Sequence, residues 1–201
     1  MHEKIYEQFD RICRRRNAGG AVLEIGAVPS DASLLGLPSL KNATSKTGVN
    51  LDPPSRHGDF AILQVNANSM DCFADGQFDT ILCNATFEHD KFFWKTLAEI
   101  RRVAKPGALV VLGTPGFIRS RREQWAKKIL RRIPFFGTPV RRRLEHLFAS
   151  TLTLHVHNYP GDYYRFSPQA FREVFFEGMQ DVEIFPLLTP PRIIGSGTMG
   201  S

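Results

Sequence analysis

Two groups of titratable side chains in this sequence could remove a proton from a bound substrate. The first is His89 and Asp90; the second, further along the chain, is His155, His157 and Asp162. An imidazole or carboxylate within hydrogen-bond reach of a hydroxyl speeds its reaction by about 10²–10⁴-fold. The alternative for any of these histidines is a structural role, in which Glu88 and His89 would fix a loop. We take His89, Asp90, His157 and Asp162 as the catalytic candidates.

A second set of residues directly follows the apolar runs that have the character of strands. These are Glu24, Gly26 and Ala27; Asn50 and Asp52; Asn66, Ala67 and Asn68; and Asn84 through Asp90. In an open parallel sheet, ligands bind just outside the carboxyl ends of the strands. These positions offer carboxylates and amides but no lysine or arginine, which a ligand dominated by pyrophosphate would need. The pattern favours a ligand with an amine, ribose hydroxyls and adenine.

The loop after the first apolar run has lost most of the glycines of a phosphate-binding loop. Residues 21–35 read AVLEIGAVPSDASLL, and only Gly26 remains of a G-x-G-x-x-G pattern. A nicotinamide dehydrogenase is therefore disfavoured, since the later glycines are missing and no hydride-transfer site is evident. A ligand without phosphate can tolerate this stiffer loop.

The segment HNYPGDYYRFSPQAFREVF, from His157, combines aromatic and charged side chains. Tyr163 and Tyr164 could stack on a sugar or another polar planar acceptor, which Asp162 and Arg165 could hydrogen-bond. The alternative is a structural corner in which Arg165 pairs with Asp162 and both tyrosines pack. We carry Tyr163, Tyr164 and Arg165 as candidate substrate-binding residues.

The elements that position these residues alternate between strands and helices. Strands are predicted at 21–27, 48–54, 61–67, 78–85, 108–116 and 181–188, with an edge strand at 192–195, and helices at 3–16, from Asp31 to Leu40, 90–104 and 168–178. Apolar strands alternating with helices indicate β-α-β units and a sheet covered on both faces. The expected fold is α/β: a Rossmann-like, doubly wound, mostly parallel sheet with helices on both faces. The tail from residue 195 is expected to be disordered.

Composition places the chain among ordinary globular proteins. It has 201 residues, 42% of them hydrophobic and 23% charged, which suits one domain with a proper core. No apolar run approaches the ~20 residues of a membrane-spanning helix, and no signal peptide is expected at the N-terminus. The three cysteines form no C-x-x-C pair, so we expect neither a disulfide framework nor a metal site. This use of cysteine also predicts a protein of the reducing cytoplasm.

The positive charge is concentrated in one segment. Residues 119–143 contain ten lysines and arginines against one acid, Glu123. Two basic amphipathic helices are predicted, at 118–133 and 140–150, as an insertion after the fifth strand. We favour a lid with a solvated charged face, to which peripheral contact with a membrane through 118–143 is the added possibility. Nucleic acid binding is disfavoured, because no aromatic interleaving or reading motif accompanies the charge.

Three stretches between residues 21 and 116 together resemble the class I S-adenosylmethionine-dependent methyltransferases. LEIGA is similar to their first glycine motif, FADGQFDTILCNATFEHD to their "PF-x-D-x-x-FD…LEH" segment, and LAEIRRVAKPGALVVLGTPG to "EI-x-RVLKPGG" and its following strand. The resemblance is to the small type 11 group, similar to ubiquinone and sterol methyltransferases. It covers about half of the chain.

The resemblance implies S-adenosyl-L-methionine as cofactor and a role for each matching position. Glu24 and Gly26 would hold its methionine part, with Ala27 beside them. Asn50 takes the place of the usual ribose-binding acid, so Asp52 would substitute. Asn66, Ala67 and Asn68 would adjoin the adenine, and Asn84 completes the predicted cofactor set. Ala27 to Ser30 depart from the family pattern, because they replace its further glycines.

The segment from Asn158 to Pro168 resembles the "P-x-DY-x-RFTP" segment of methyltransferases that accompany glycan synthesis. We therefore predict methyl transfer to oxygen on a small-molecule or glycan or lipid-linked acceptor. The predicted single domain has a cofactor-binding core at 1–117, a lid and acceptor loop at 118–167, closing elements at 168–195 and a tail. The alternative is a catalytically inactive binding or assembly module.

Overall fold

The computed structural model describes residues 2–117, 153–156, 161–188 and 190–200. Its helices are α1 (Glu3–Arg15), α2 (Phe93–Val103) and α3 (Pro168–Ala170), the last continuing as a π-helical turn at Phe171–Phe175. Its strands are β1 (Ala21–Ile25), β2 (Ser45–Asn50), β3 (Ser55–His57), β4 (Phe60–Gln64), β5 (Phe78–Asn84), β6 (Ala104–Pro115), β7 (Gln180–Leu188) and β8 (Pro191–Thr198). The two predicted basic helices and His157 lie outside these residues.

The strands form one eight-stranded sheet in the order β3-β4-β2-β1-β5-β6-β8-β7. The five strands β4, β2, β1, β5 and β6 run parallel, while β3, β7 and β8 pair antiparallel with their neighbours. The order reverses between β1 and β5, which is where such a sheet opens a crevice for a ligand. The predicted α/β class and mostly parallel, doubly wound sheet are confirmed.

Apolar side chains cover both faces of this sheet. On one face α1 buries Ile5, Phe9 and Ile12 against the sheet. The opposite face is covered by α2 and by the turn after α3, which contributes Phe171 and Phe175. The periodicity of α1 and α2 in the sequence thus corresponds to real buried faces.

The helix predicted after Asp31 is wrong. Two 3₁₀ turns, Leu34–Gly36 and Pro38–Leu40, occupy that span instead. The ring of Pro38 disfavours a helical backbone at the residue before it, and the side chain of Glu24 takes the amide hydrogens that open the first turn. A short, anchored connection therefore replaces the helix.

The C-terminal end of the chain also differs from the prediction. Residues 192–195 were expected at an edge, but β8 lies inside the sheet between β6 and β7 and extends to Thr198, so this stretch of the expected disordered tail is a strand. A side chain at Gly195 would place a Cβ 2.4 Å from the ring of Phe176. Glycine is therefore what lets β8 pass beneath this ring, and the run that suggested disorder serves packing.

Candidate functional site

A cavity of about 410 Å³ opens at the carboxyl ends of β1, β2, β4 and β5, at the point where the strand order reverses. Its lining is Ile25, Gly26, Val28, Val49, Asn50, Leu51, Val65, Asn66, Ala67, Asn68, Ala85, Thr86, His89, Asp90, Lys91 and Phe92. Apolar walls with a few polar groups are typical of a small-molecule site. Of the predicted cofactor residues, the lining includes Gly26, Asn50, Asn66, Ala67 and Asn68, but not Glu24, Ala27, Asp52 or Asn84.

The loop after β1 needs a glycine at position 26 for two reasons. Gly26 has a φ of 78°, in the left-handed region. A Cβ there would lie 2.1 Å from Oγ1 of Thr86, a residue on the facing loop. Ala85, beside Thr86, also has a positive φ of 59°, and its amide donates to the carbonyl of Gly113 at 2.9 Å. Both sides of the cavity floor are thus built from tight backbone turns.

Glu24 does not line the cavity but anchors the connection behind it. Its carboxylate is buried and accepts hydrogen bonds from the hydroxyl of Ser33 and from the amides of Leu34 and Leu35, the latter two at 3.1 and 3.2 Å. Burial raises the pKa of Glu24, against the effect of these three donors. Its contribution to the site is therefore indirect, through the shape of the loop.

Most of the polar side chains at the cavity are bonded to the protein itself. The amide of Asn50 donates to the carbonyl of Ala27 at 2.7 Å, and its oxygen accepts from the amide of Leu51 at 2.7 Å. Asn66 accepts from the backbone amide of Asn68 at 2.9 Å. These bonds hold the strand exits in fixed positions, which is what preorganises a binding site.

Asp90 acts as a cap for the start of α2. Its carboxylate accepts from the amide of Phe92 at 2.8 Å, from the side-chain amide of Asn68 at 2.8 Å and from the hydroxyl of Thr96 at 2.7 Å. Three donors thus occupy the oxygens of this carboxylate. Asp90 is thus held as a structural acceptor, although it lines the cavity.

The segment 161–166 folds back onto the loop that follows β5. The Nδ1 atom of His89 contacts the carbonyl of Gly161, and the amide of Tyr163 donates to the carbonyl of Glu88 at 2.7 Å. Asp162 and Arg165 form a buried ion pair, in which one nitrogen–oxygen distance is 2.6 Å. This ion pair is the one expected of the alternative considered for the segment, a structural corner.

The two tyrosines of this segment differ in exposure. Tyr164 packs edge-on against Phe93, and its hydroxyl donates to the carbonyl of Lys91 at 3.0 Å. Tyr163 remains 47% exposed, with the ammonium group of Lys91 over its ring. Only Tyr163 is therefore placed to contact a further molecule. None of Asp162 to Arg165 lines the cavity itself.

Two buried charges beside the cavity were not predicted as site residues. Glu88 is fully buried one residue before His89, and burial raises its pKa to about 7, against the positive charges of Arg192 and Arg165. Arg192 reaches this place from β8 and donates to the side-chain oxygen of Asn84 at 3.3 Å. The "EH" pair drew attention to Glu88 in the sequence, but no local signal marks Arg192.

Within the described ranges, no group of three or more histidine, cysteine, aspartate or glutamate side chains could hold a metal ion. Cys13, Cys72 and Cys83 are all free, and burial raises the pKa of the Cys13 and Cys83 thiols, the former to about 12. These cysteines are therefore unreactive core residues, except for Cys72, which is exposed.

A family model described as a methyltransferase domain matches residues 29–112, a span that holds most of the cavity lining. Residues 29–112 are therefore similar to a methyltransferase domain. No curated protein matches the sequence. The prediction of a methyltransferase with S-adenosylmethionine as methyl donor is thus confirmed at the level of the family.

Solved structures support the same fold for this methyltransferase domain. A SAM-dependent methyltransferase from Archaeoglobus fulgidus has a TM-score of 0.64 at 13% identity, with 98% of this chain and 93% of that one covered. A chain of the complex between the Haloferax volcanii Trm112 methyltransferase activator and its methyltransferase has a TM-score of 0.61 at 14% identity, with 99% and 92% covered.

Phosphoethanolamine N-methyltransferase 2 from Haemonchus contortus, in complex with S-adenosyl-L-methionine, has a TM-score of 0.60 at 13% identity. The alignment covers 97% of this chain but 53% of that enzyme, so this chain spans about half its length. At these identities the likeness concerns the fold.

The cavity of the methyltransferase domain fits an adenosyl sulfonium. Val28, Val49, Leu51, Val65 and Phe92 offer apolar surface of the kind that an adenine ring requires, and the strand exits add amides and the carboxylate of Asp90. Lys91 is the one cation of the lining, where the sequence suggested none. With one carboxylate and one ammonium group, the lining of described residues has no cluster of cations for a phosphate, which this ligand lacks.

Proposed function

We propose that this methyltransferase domain transfers a methyl group from S-adenosylmethionine to an oxygen of a small-molecule or glycan or lipid-linked acceptor. The observation that carries the proposal is the cavity at the reversal of strand order, whose walls combine apolar surface with amides. Because the bound cofactor supplies an already activated methyl carbon, the protein has mainly to hold the acceptor in line with it.

In this proposal the cofactor is held by the residues that line the cavity. Gly26 admits its methionine part, Asn50 adjoins the ribose, and Asn66, Ala67 and Asn68 adjoin the adenine. Glu24 acts from behind by fixing the loop after β1. Ala27 and Asn50 are joined by a hydrogen bond, which is how Ala27 contributes without lining the cavity.

The acceptor side is proposed to be the loop 84–90 together with segment 161–166. His89 joins the two, and exposed Tyr163 offers a ring on which a sugar could stack. We retain the division into a core at 1–117, a lid and acceptor loop at 118–167 and closing elements at 168–195. A cytoplasmic location belongs to the same proposal and is supported by the three free cysteines.

Calorimetric titration with S-adenosylhomocysteine tests the cofactor site. Val28 lines the cavity and is 44% exposed, so the Val28→Trp variant should fill the cavity without disturbing the core. We expect its affinity to be at least about tenfold below that of the wild type.

The matched control is Val174→Trp, because Val174 is also 44% exposed but does not line the cavity. Its affinity should equal that of the wild type. If the wild-type protein bound no S-adenosylhomocysteine, methyl transfer would be abandoned in favour of a binding or assembly module.

We further propose peripheral contact with an anionic membrane, through residues 118–143 and a surface patch of the described residues. The patch is Lys91, Phe92, Trp94, Lys95 and Tyr163, in which the three aromatic rings are 47–52% exposed. Lys91 lies over the ring of Tyr163 and Lys95 over that of Phe92. Exposed aromatic rings interleaved with lysines are typical of surfaces that sit at a lipid headgroup layer. Among the described helices, none is both long and apolar enough to cross a bilayer.

Sedimentation with vesicles of phosphatidylserine and phosphatidylcholine at low salt tests this contact. We expect binding of the wild type and a roughly tenfold weaker binding of Lys95→Glu, since each basic residue contributes about 1 kcal/mol at such a surface. Arg172→Glu, an exposed charge reversal outside the patch, is the control. If both variants sedimented equally, the patch would not take part in membrane contact. If the wild type did not bind the vesicles, the proposal of membrane contact would be wrong.

A further inference from the structure

Glu88 is a buried carboxylate to which no other described residue donates a hydrogen bond. Its side chain is completely inaccessible to solvent, and neither carboxylate oxygen accepts a hydrogen bond from another residue within the part of the chain that the structure describes. Buried polar atoms are almost always hydrogen-bonded, so two vacant acceptors on one carboxylate require an explanation. Their position is informative, since the neighbouring His89 lines the proposed cofactor cavity.

Arg192 carries a buried hydrogen-bond donor that lacks an acceptor among the described residues. Its Nε atom is buried and donates to no acceptor among the described residues, and the oxygen of Asn84 accepts a long bond of 3.3 Å from Nη1. Burial lowers the pKa of Arg192, against the charge of Glu88. The opposite charges of Glu88 and Arg192 therefore act on each other, yet the two side chains form no ion pair.

Arg165 adds a third unsatisfied group to the same cluster. Its two terminal nitrogens bond to Asp162, while its Nε atom is buried with no acceptor within the described ranges. The charges that face Glu88 are thus Arg192, Arg165 and Asp162. With Glu88 ionised, the two carboxylates and two guanidinium groups balance to neutrality, and the cluster holds both vacant acceptors and vacant donors.

We propose that Glu88, Arg192 and Arg165 form the subsite for the hydroxyl group of the methyl acceptor. A hydroxyl carries one donor and two lone pairs, so it can donate to Glu88 and accept from both Nε atoms. A neutral group suits a neutral cluster, whereas an anion would leave an excess buried negative charge. This assignment rests on the proposed transfer to oxygen and names the group that receives the proton.

The residues of this subsite account for the proton that methyl transfer to a hydroxyl releases. As the acceptor oxygen forms its bond to the methyl carbon, its proton passes to Glu88, and the electron pair of the broken carbon–sulfur bond stays on sulfur in the neutral thioether product. The two guanidinium groups stabilise the negative charge that develops on oxygen. Burial of Glu88 raises its pKa to about 7, which suits a general base near neutral pH.

Titration of the Glu88 carboxyl by carbon-13 NMR tests the subsite, with the Glu88→Gln variant identifying its signal. The pKa of Glu88 is measured alone, with methyl β-glucoside as a hydroxyl probe and with inorganic phosphate as an anion probe. Each series is run with and without S-adenosylhomocysteine. We expect saturating glucoside to lower this pKa by about one unit, because a hydroxyl that donates to the carboxylate favours its charged form. Phosphate should leave it unchanged, and the glucoside effect should vanish in Arg192→Met.

The outcomes separate this inference from the proposed function. If S-adenosylhomocysteine binds but glucoside leaves the pKa of Glu88 unchanged, the subsite is wrong and the cofactor assignment stands. If glucoside shifts the pKa and S-adenosylhomocysteine does not bind, the subsite stands and methyl transfer fails. A rise of the pKa with phosphate would make the cluster an anion site and overturn the hydroxyl assignment. In the control variant Glu177→Gln, which changes an exposed glutamate, the pKa of Glu88 should equal that of the wild type.

Discussion

Replacing Gly26 by alanine is expected to lower the free energy of unfolding by about 3 kcal/mol and to weaken S-adenosylhomocysteine binding at least tenfold. Two effects add. The positive φ of 78° disfavours any L side chain, and the new Cβ would lie 2.1 Å from Oγ1 of Thr86. Because Gly26 and Thr86 both line the cavity, relief of this overlap moves its walls. Urea unfolding and calorimetric titration measure the two effects.

Two further variants separate backbone strain from the overlap. Gly58 also has a positive φ, of 56°, but a Cβ there would meet nothing within 4 Å. Gly58→Ala should therefore lower stability by about 1 kcal/mol and leave binding unchanged. Adding Thr86→Ala to Gly26→Ala should restore part of the lost stability. If Gly26→Ala bound S-adenosylhomocysteine like the wild type, the loop after β1 would not form part of the cofactor site.

Replacing Glu88 by glutamine is expected to make the protein more stable than the wild type at alkaline pH. The pKa of Glu88 is raised from 4.5 to about 7 by burial, so the folded state binds this proton more tightly than the unfolded state does. The resulting stabilisation is complete below the unfolded-state pKa and is lost as the pH rises through about 7. It amounts to about 3 kcal/mol, since each pKa unit corresponds to about 1.4 kcal/mol.

Glutamine keeps the shape of the protonated side chain and does not titrate. The difference in unfolding free energy between Glu88→Gln and the wild type should therefore move in favour of the variant by about 3 kcal/mol between about pH 4 and pH 9. Denaturant unfolding across that range measures it. Glu177→Gln should follow the wild-type curve, and a Glu88→Gln curve parallel to the wild type would contradict the raised pKa.

The position of the cavity followed from the order of residue types along the chain. Asn50 was assigned to the end of one apolar run and Asn66 and Asn68 to the end of the next, and parallel strands bring their carboxyl ends to one edge of a sheet. This inference needs only local periodicity and the known geometry of β-α-β units. Five of the predicted cofactor residues line the cavity, because each of them lies at the carboxyl end of a parallel strand or within a few residues after it.

The roles of individual side chains were less accessible from the sequence. Asp90 has the residue type of a base, yet the amide of Phe92 and the side chains of Asn68 and Thr96 occupy its oxygens. Glu24 lies one residue before the end of the first strand, yet its carboxylate bonds to Ser33 in the following connection instead of lining the cavity. Which way a side chain points, and which donors surround it, depends on packing that residue order does not encode.

The sequence by itself determined the alternation of strands and helices, the parallel sheet and the edge at which the cavity opens. Each of these depends on periodicity or spacing over a few residues. Only the tertiary structure placed β8 inside the sheet and, with it, Arg192 near Asn84, 108 residues earlier in the chain. The physical reason is that antiparallel pairing of β8 with β6 fixes this approach, and contacts between distant residues arise from strand order and packing rather than from local propensity.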